Sequence, residues 1–315
     1  DVGDLEGHAP PRQTAALRAV LTRLGLAARL ADARDLTRLV RAPHGERPRG
    51  AGATRDVLPL VLTNVRPVAS PREAPLVSSL GRTLLVTLGR GPAPEAAPLR
   101  VGILGVSEPD HVTAAVLRRL GLVFTPPAEA ATAAAADLRA RGAEVVLALL
   151  HVGRLPATRA LLESTRGIDL AVASGLDSRL DPAETVGPDG TLLLSPLPRG
   201  RELGRVDVTL RAAGTRLWDV RARERLSALL ADHERQARAA EQDDADAANA
   251  RRRAALAAAV LRDRAARDAA GPPPGANTYD EMLIPLDATW PDDPDVAAVL
   301  RPLKSPGLQA APSGL

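Results

Sequence analysis

Two apolar runs that each release into a polar loop constrain this chain most. Val145-Val146-Leu147-Ala148-Leu149-Leu150 ends on His151-Val152-Gly153. Ile168-Asp169-Leu170-Ala171-Val172-Ala173 ends on Ser174-Gly175-Leu176-Asp177-Ser178. Runs this short and this apolar read as buried strands. Strands that deliver polar loops at their C-terminal ends form the frame on which α/β proteins build active sites.

The surrounding sequence supplies the rest of such a frame. Apolar residues at 16, 17, 20, 21 and 24 have helical spacing, and a short strand is expected at 27–30. Residues 41–56, rich in Pro, Gly and Arg, read as a loop. Strands are expected at 57–64, 83–88 and 100–106, and a helix at 128–141 stopped by Gly142. A helix at 158–165 and strands at 191–195 and 204–210 complete an alternating α/β pattern to about residue 213.

The character then changes. Residues 219–270 contain neither proline nor glycine and are dominated by Ala, Arg, Leu, Asp and Glu, which predicts helix. The polar stretch 241–246 divides it into two helices, giving an αα-hairpin, with a dimerising coiled coil as the alternative. Gly271-Pro272-Pro273-Pro274-Gly275 reads as a linker, followed by a tail with a short helix at 296–300. The expected organisation is an α/β domain over 1–213, a helical hairpin over 214–270, and a linker and tail over 271–315.

Composition closes off several classes of function. There is no cysteine, so disulfides, zinc–thiolate sites and thiol nucleophiles are excluded for this chain. The net charge of +3 comes without a long basic run, and no nucleic-acid partner is expected. No apolar stretch approaches the roughly 18 residues of a transmembrane helix. The opening Asp1-Val2-Gly3-Asp4 reads as the end of a strand and carries no signal peptide, so a processed or truncated N-terminus is expected. A nucleophile elbow, a phosphate-binding P-loop and a dinucleotide fingerprint are all missing from the sequence.

Two residues stand out as candidates for chemistry. Asp4 follows a glycine at a strand end, where a carboxylate can bridge two cations; its other reading is a turn or N-cap aspartate. His151 follows six apolar residues and precedes Gly153, which puts its imidazole at a strand exit as a metal ligand or a hydrogen-bonded structural histidine. His8, His44, His111 and His233 have weaker cases, and His44 and His233 read as solvated.

Six segments, in order, resemble the metallophosphoesterase domain of the bacterial 5'-nucleotidase, UshA-like family. They are Asp1–Leu5, Leu58–Val65, Arg100–Val106, Leu138–Gly153, Gly167–Gly175 and Gly204–Val208. The resemblance implies a four-layer α/β/β/α sandwich, a two-metal centre of divalent ions, phosphate-ester hydrolysis on nucleotides and a periplasmic location. By position Asp4 is the bridging aspartate and His151 a metal-binding histidine.

The departures fall on the ligands. Ala33 and Arg34 stand where the family has an asparagine ligand and a catalytic histidine, and Leu176 and Ser178 replace both histidines of its Gly-His-x-His motif. Of the expected ligands this leaves Asp4 and His151, too few for a divalent pair. A hydrolase reading therefore requires substitute ligands, for which Asp35, Asn64 and Asp177 are the candidates. The competing reading is a non-catalytic domain. It would bind a phosphate-containing small molecule, with Arg34 as an anion-binding guanidinium, or a protein partner through residues 219–270.

Overall fold

The computed structural model describes residues 19–23, 25–31, 59–68, 81–89, 98–108, 111–119, 121–174, 180, 183–195, 202–211, 216–241, 247–286 and 293–300. The chain divides into two compact units, residues 1–203 with 283–315, and residues 204–282.

The first unit is built on a six-stranded sheet. Its strands are β4 (Thr83–Leu88), β5 (Leu99–Ser107), β7 (Val145–His151), β8 (Leu170–Ala173), β10 (Thr191–Leu194) and β9 (Glu184–Val186), in that spatial order. The inner four are parallel, and β4 and β9 run antiparallel at the two ends. The apolar run 145–150 becomes the central strand β7, where Val146, Ala148 and Leu150 are fully buried.

Helices α2 (Pro127–Ala140) and α3 (Leu155–Glu163) belong with one face of the sheet. Ala131, Ala134, Ala135 and Leu138 repeat at three and four residues and form the buried side of α2. Proline within the first turn of both helices costs no hydrogen bond there. Gly142, at φ +90°, follows α2 in the left-handed conformation that a side chain resists.

The other face of the sheet meets a second β layer. Here β1 (Arg29–Leu30) pairs in parallel with β2 (Leu60–Val61), and β3 (Val65–Pro67) pairs antiparallel with β6 (Leu122–Phe124). Leu117 of α1 (His111–Arg119) joins the same core, with Leu30, Leu62, Ile103 and Leu149. The unit is therefore an α/β sandwich, as expected from the sequence. The layers approach closely at Gly105 of β5, where a Cβ would lie 2.7 Å from both the Val61 carbonyl oxygen and Leu30 Cδ1. The expected strand at 57–64 is shorter than its pattern suggests. After Val61 the chain leaves β2, and Thr63 and Asn64 turn their side chains onto the backbone of β5.

An ion pair between the half-buried Arg139 and the buried Asp169 closes the N-terminal end of the parallel strands. Asp169 Oδ2 accepts hydrogen bonds from the Val146 amide at 2.6 Å and from Arg139 Nη2 at 2.5 Å, whereas Oδ1 is buried with no partner. Burial outweighs both bonds and pushes the carboxyl up to about 6. The helix α6 (Pro294–Leu300) also belongs to this unit.

The second unit holds a three-stranded sheet in the order β11 (Glu202–Thr209), β13 (Asn277–Pro285) and β12 (Leu217–Asp219). The Pro/Gly run at 271–275 is thus followed by a paired strand. Tyr279 of β13 is buried, and Arg216 lies 4.3 Å above the Trp218 ring. Between β12 and β13 stand the two expected helices, α4 (Ala222–Glu241) and α5 (Ala247–Ala269), packed as a hairpin. Leu230, Ala240 and Ala259 are buried in it. His233, read from sequence as solvated, instead faces α5: its Nδ1 lies 2.5 Å from Oδ2 of the buried Asp263. The polar context of residue 233 concealed this, because the hairpin buries a carboxylate that needs a partner.

Candidate active site

The four parallel strands deliver their C-terminal ends to one edge of the sheet. Ser107 ends β5, His151 ends β7, Ser174 follows β8 and Ser195 follows β10. Ser107 and His151 are register partners, and the Glu108 amide donates to the His151 carbonyl at 2.9 Å. The apolar stretch that buries β7 thus carries a histidine out to the edge, where its side chain is exposed.

His151 Nδ1 lies 3.0 Å from Ser174 Oγ. The Ser174 amide donates to the Leu150 carbonyl at 2.9 Å, which fixes the serine opposite the histidine. Thr158 Oγ1 of α3 donates to the Val152 carbonyl at 3.1 Å and anchors the loop after His151. Glu108 Oε2 reaches over the same loop, 3.4 Å from where a Cβ on Gly153 would sit. Sequence reasoning singled out His151 but not Ser174 or Glu108; position at a strand end was the signal that could have found them.

Asn64 is fully buried and paired to the end of β5. Its Nδ2 donates to the Ser107 carbonyl at 2.8 Å, and its Oδ1 accepts the Ser107 amide at 3.1 Å. Both ends of the carboxamide are thereby engaged in holding Ser107. Asp4, Asp35, Asp177 and Arg34 lie outside the described residues, as do Ala33, Leu176 and Ser178. The structure therefore shows two of the residues singled out from sequence, His151 and Asn64.

Among the described residues no three His, Asp or Glu side chains converge in a way that could hold a metal ion. Divalent cations take four to six donors. His151, bonded to a serine, and Asn64, bonded to a backbone, do not constitute such a set. The described part of the edge supplies hydrogen-bonding groups: imidazole, hydroxyl and carboxylate.

Comparison with solved structures places this architecture. The calcineurin-like phosphoesterase YfkN from Bacillus subtilis aligns over 91% of this chain and 72% of its own length, with a TM-score of 0.50 and 14% identity. The fold is of the metallophosphoesterase type. At that identity the likeness is one of fold. The chain also aligns with a 5'-nucleotidase precursor from Thermus thermophilus, at 17% identity and a TM-score of 0.44, over 65% of this chain and 40% of that one. The NAD nucleotidase of Haemophilus influenzae gives 16% identity and a TM-score of 0.44, over 64% of this chain and 40% of that one. This chain thus spans less than half the length of these two nucleotidases. No family model and no curated protein matches the sequence.

Proposed function

We propose that this chain descends from phosphate-ester hydrolases acting on nucleotides, of the 5'-nucleotidase, UshA-like group, and that it now binds a phosphate-bearing small molecule without hydrolysing it. The observation that carries this reading is the His151–Ser174 pair at the C-terminal edge of the sheet. In this fold that edge is where the chemistry belongs. Here the histidine is joined to a hydroxyl, and the sequence has Ala33, Arg34, Leu176 and Ser178 at the places where the family keeps its ligands. With Nδ1 turned to Ser174, the other ring nitrogen of His151 is the one left to meet a phosphate oxygen. Arg34, by its place in the sequence, supplies the guanidinium, whose fork suits phosphate. On the same resemblance we place the protein in the periplasm, which osmotic-shock fractionation checks. Among the described residues no helix is long and apolar enough to cross a membrane.

The test combines calorimetric titration with activity assays. Inorganic phosphate and AMP are titrated into the intact chain and into the Arg34→Ala and His151→Ala variants. Metal content is measured, and nucleotidase and cyclic-phosphodiesterase turnover are assayed with added manganese. The expected result is binding without turnover, weakened at least tenfold by either substitution. Stoichiometric bound metal, with turnover abolished in His151→Ala, overturns the proposal in favour of a working hydrolase. Equal, negligible binding by the intact chain and Arg34→Ala overturns it in the other direction.

A further inference from the structure

Helix α5 has two unlike faces. Leu256, Ala259, Val260 and Asp263 lie on the side turned to α4, where Ala259 and Asp263 are buried. On the far side, Ala250, Ala254, Ala257, Leu261 and Ala265 recur at intervals of three and four residues, and all are exposed. This seam runs about 24 Å at the helical rise per residue. Leu261 sits within it at 67% exposure, the most exposed large apolar side chain of the second unit.

Arginine borders the seam on both sides, and Asp268, paired with Arg267, closes its C-terminal end. At 100° per residue, Arg251 and Arg262 fall along one flank and Arg253 and Arg264 along the other. Helix α5 carries six arginines against two aspartates. Arg264 is tied to Glu234 at 2.8 Å. For Arg251 and Arg253 no acidic partner occurs among the described residues.

We infer that this face of α5 docks an acidic amphipathic helix of a different protein. Alanine along a seam lets two helix backbones approach closely, and Leu261 supplies an apolar knob for the partner's groove. Flanking positions set partner choice by charge, and arginine on both flanks calls for Glu or Asp on the incoming helix. A second copy of α5 would set arginine against arginine, which disfavours self-pairing. A membrane surface fits less well, because a seam of alanine with one leucine offers little to insert. The inference is independent of the phosphate site.

The intact chain is titrated by fluorescence anisotropy with two labelled helical peptides of the same Leu/Ala seam, one flanked by Glu and one by Lys. The acidic peptide is expected to bind at least tenfold more tightly than the basic one. Leu261→Glu should weaken it at least tenfold, with the circular dichroism of the chain unchanged. Exchanging Arg251 and Arg253 for Glu should reverse the preference between peptides. Failure of the acidic peptide to bind overturns the inference. So does equal binding to Leu261→Glu, which would mark attraction by charge alone. A dimer in sedimentation velocity that Leu261→Glu dissolves would assign the face to a second copy instead. Leu261-dependent binding to phosphatidylglycerol vesicles would assign it to a membrane.

Discussion

Asp169 ties the chemistry of one side chain to the stability of the sandwich. Its carboxyl titrates near 6 in the folded protein, raised chiefly by burial and only partly offset by the Val146 amide and Arg139. The ordinary value, near 3.8, applies when the chain unfolds. Because the folded value is the higher one, the folded state binds the extra proton more readily. Asp169 therefore favours folding below about pH 4, and this contribution is lost as pH rises from about 4 to about 6. A shift of this size corresponds to about 3 kcal/mol. Urea midpoints of the intact chain should fall over that interval, and those of Asp169→Asn should fall markedly less. An unchanged slope in the variant would show that another group sets it. Arg139→Ala removes the cation that bonds Asp169 Oδ2 and should cost about 1–3 kcal/mol at neutral pH, read from the same urea curves.

At the scale of elements, the close contact of β5 with β2 is a sensitive point of the sandwich. A methyl on Gly105 would press on the Val61 carbonyl and on Leu30. Neither can withdraw without moving a strand or a fully packed leucine. Gly105→Ala should therefore destabilise the chain by about 1–3 kcal/mol, visible as a drop of several degrees in Tm. Much at this scale was readable in the sequence. Apolar runs marked β5, β7 and β10, since strands buried on both faces leave no alternation to misread. Helices α4 and α5 followed from a long stretch without proline or glycine. Strand β13 escaped, because Asn277-Thr278-Tyr279-Asp280-Glu281 mixes polar and buried residues and its pairing with β12 lies sixty residues away along the chain. At the candidate site His151 was legible because it ends an apolar run. Its partner Ser174 was not, since their meeting depends on the lateral pairing of β7 with β8. The Arg139–Asp169 pair was invisible for the same reason: residues 30 apart meet only after the sheet has formed.

Across the whole molecule, contacts gather into two units, with the chain passing from the first into the second and back. Each unit has its own buried core: β7 and β8 in the first, the α4–α5 interface in the second. Leu230, 4% exposed, is the largest buried apolar side chain of the hairpin helices. Leu230→Ala should cost roughly 2–3 kcal/mol, confined to the second unit. Hydrogen exchange followed by mass spectrometry should then show faster exchange in α4 and α5 and unchanged protection in β7 and β8. Faster exchange in both would mean that the units unfold as one.

The placement of the aromatic residues has an optical consequence. Trp218, under Arg216, and the buried Tyr279 both belong to the second unit. Within the described part of the first unit Phe124 is the only aromatic side chain. Trp290 falls in the stretch grouped with the first unit, so replacing it leaves the sheet sandwich nearly dark in the near ultraviolet and indole emission to report the hairpin unit alone. An emission trace and an amide trace that separate during denaturation would then signify two reporters on two units, with no need for a partly folded sandwich.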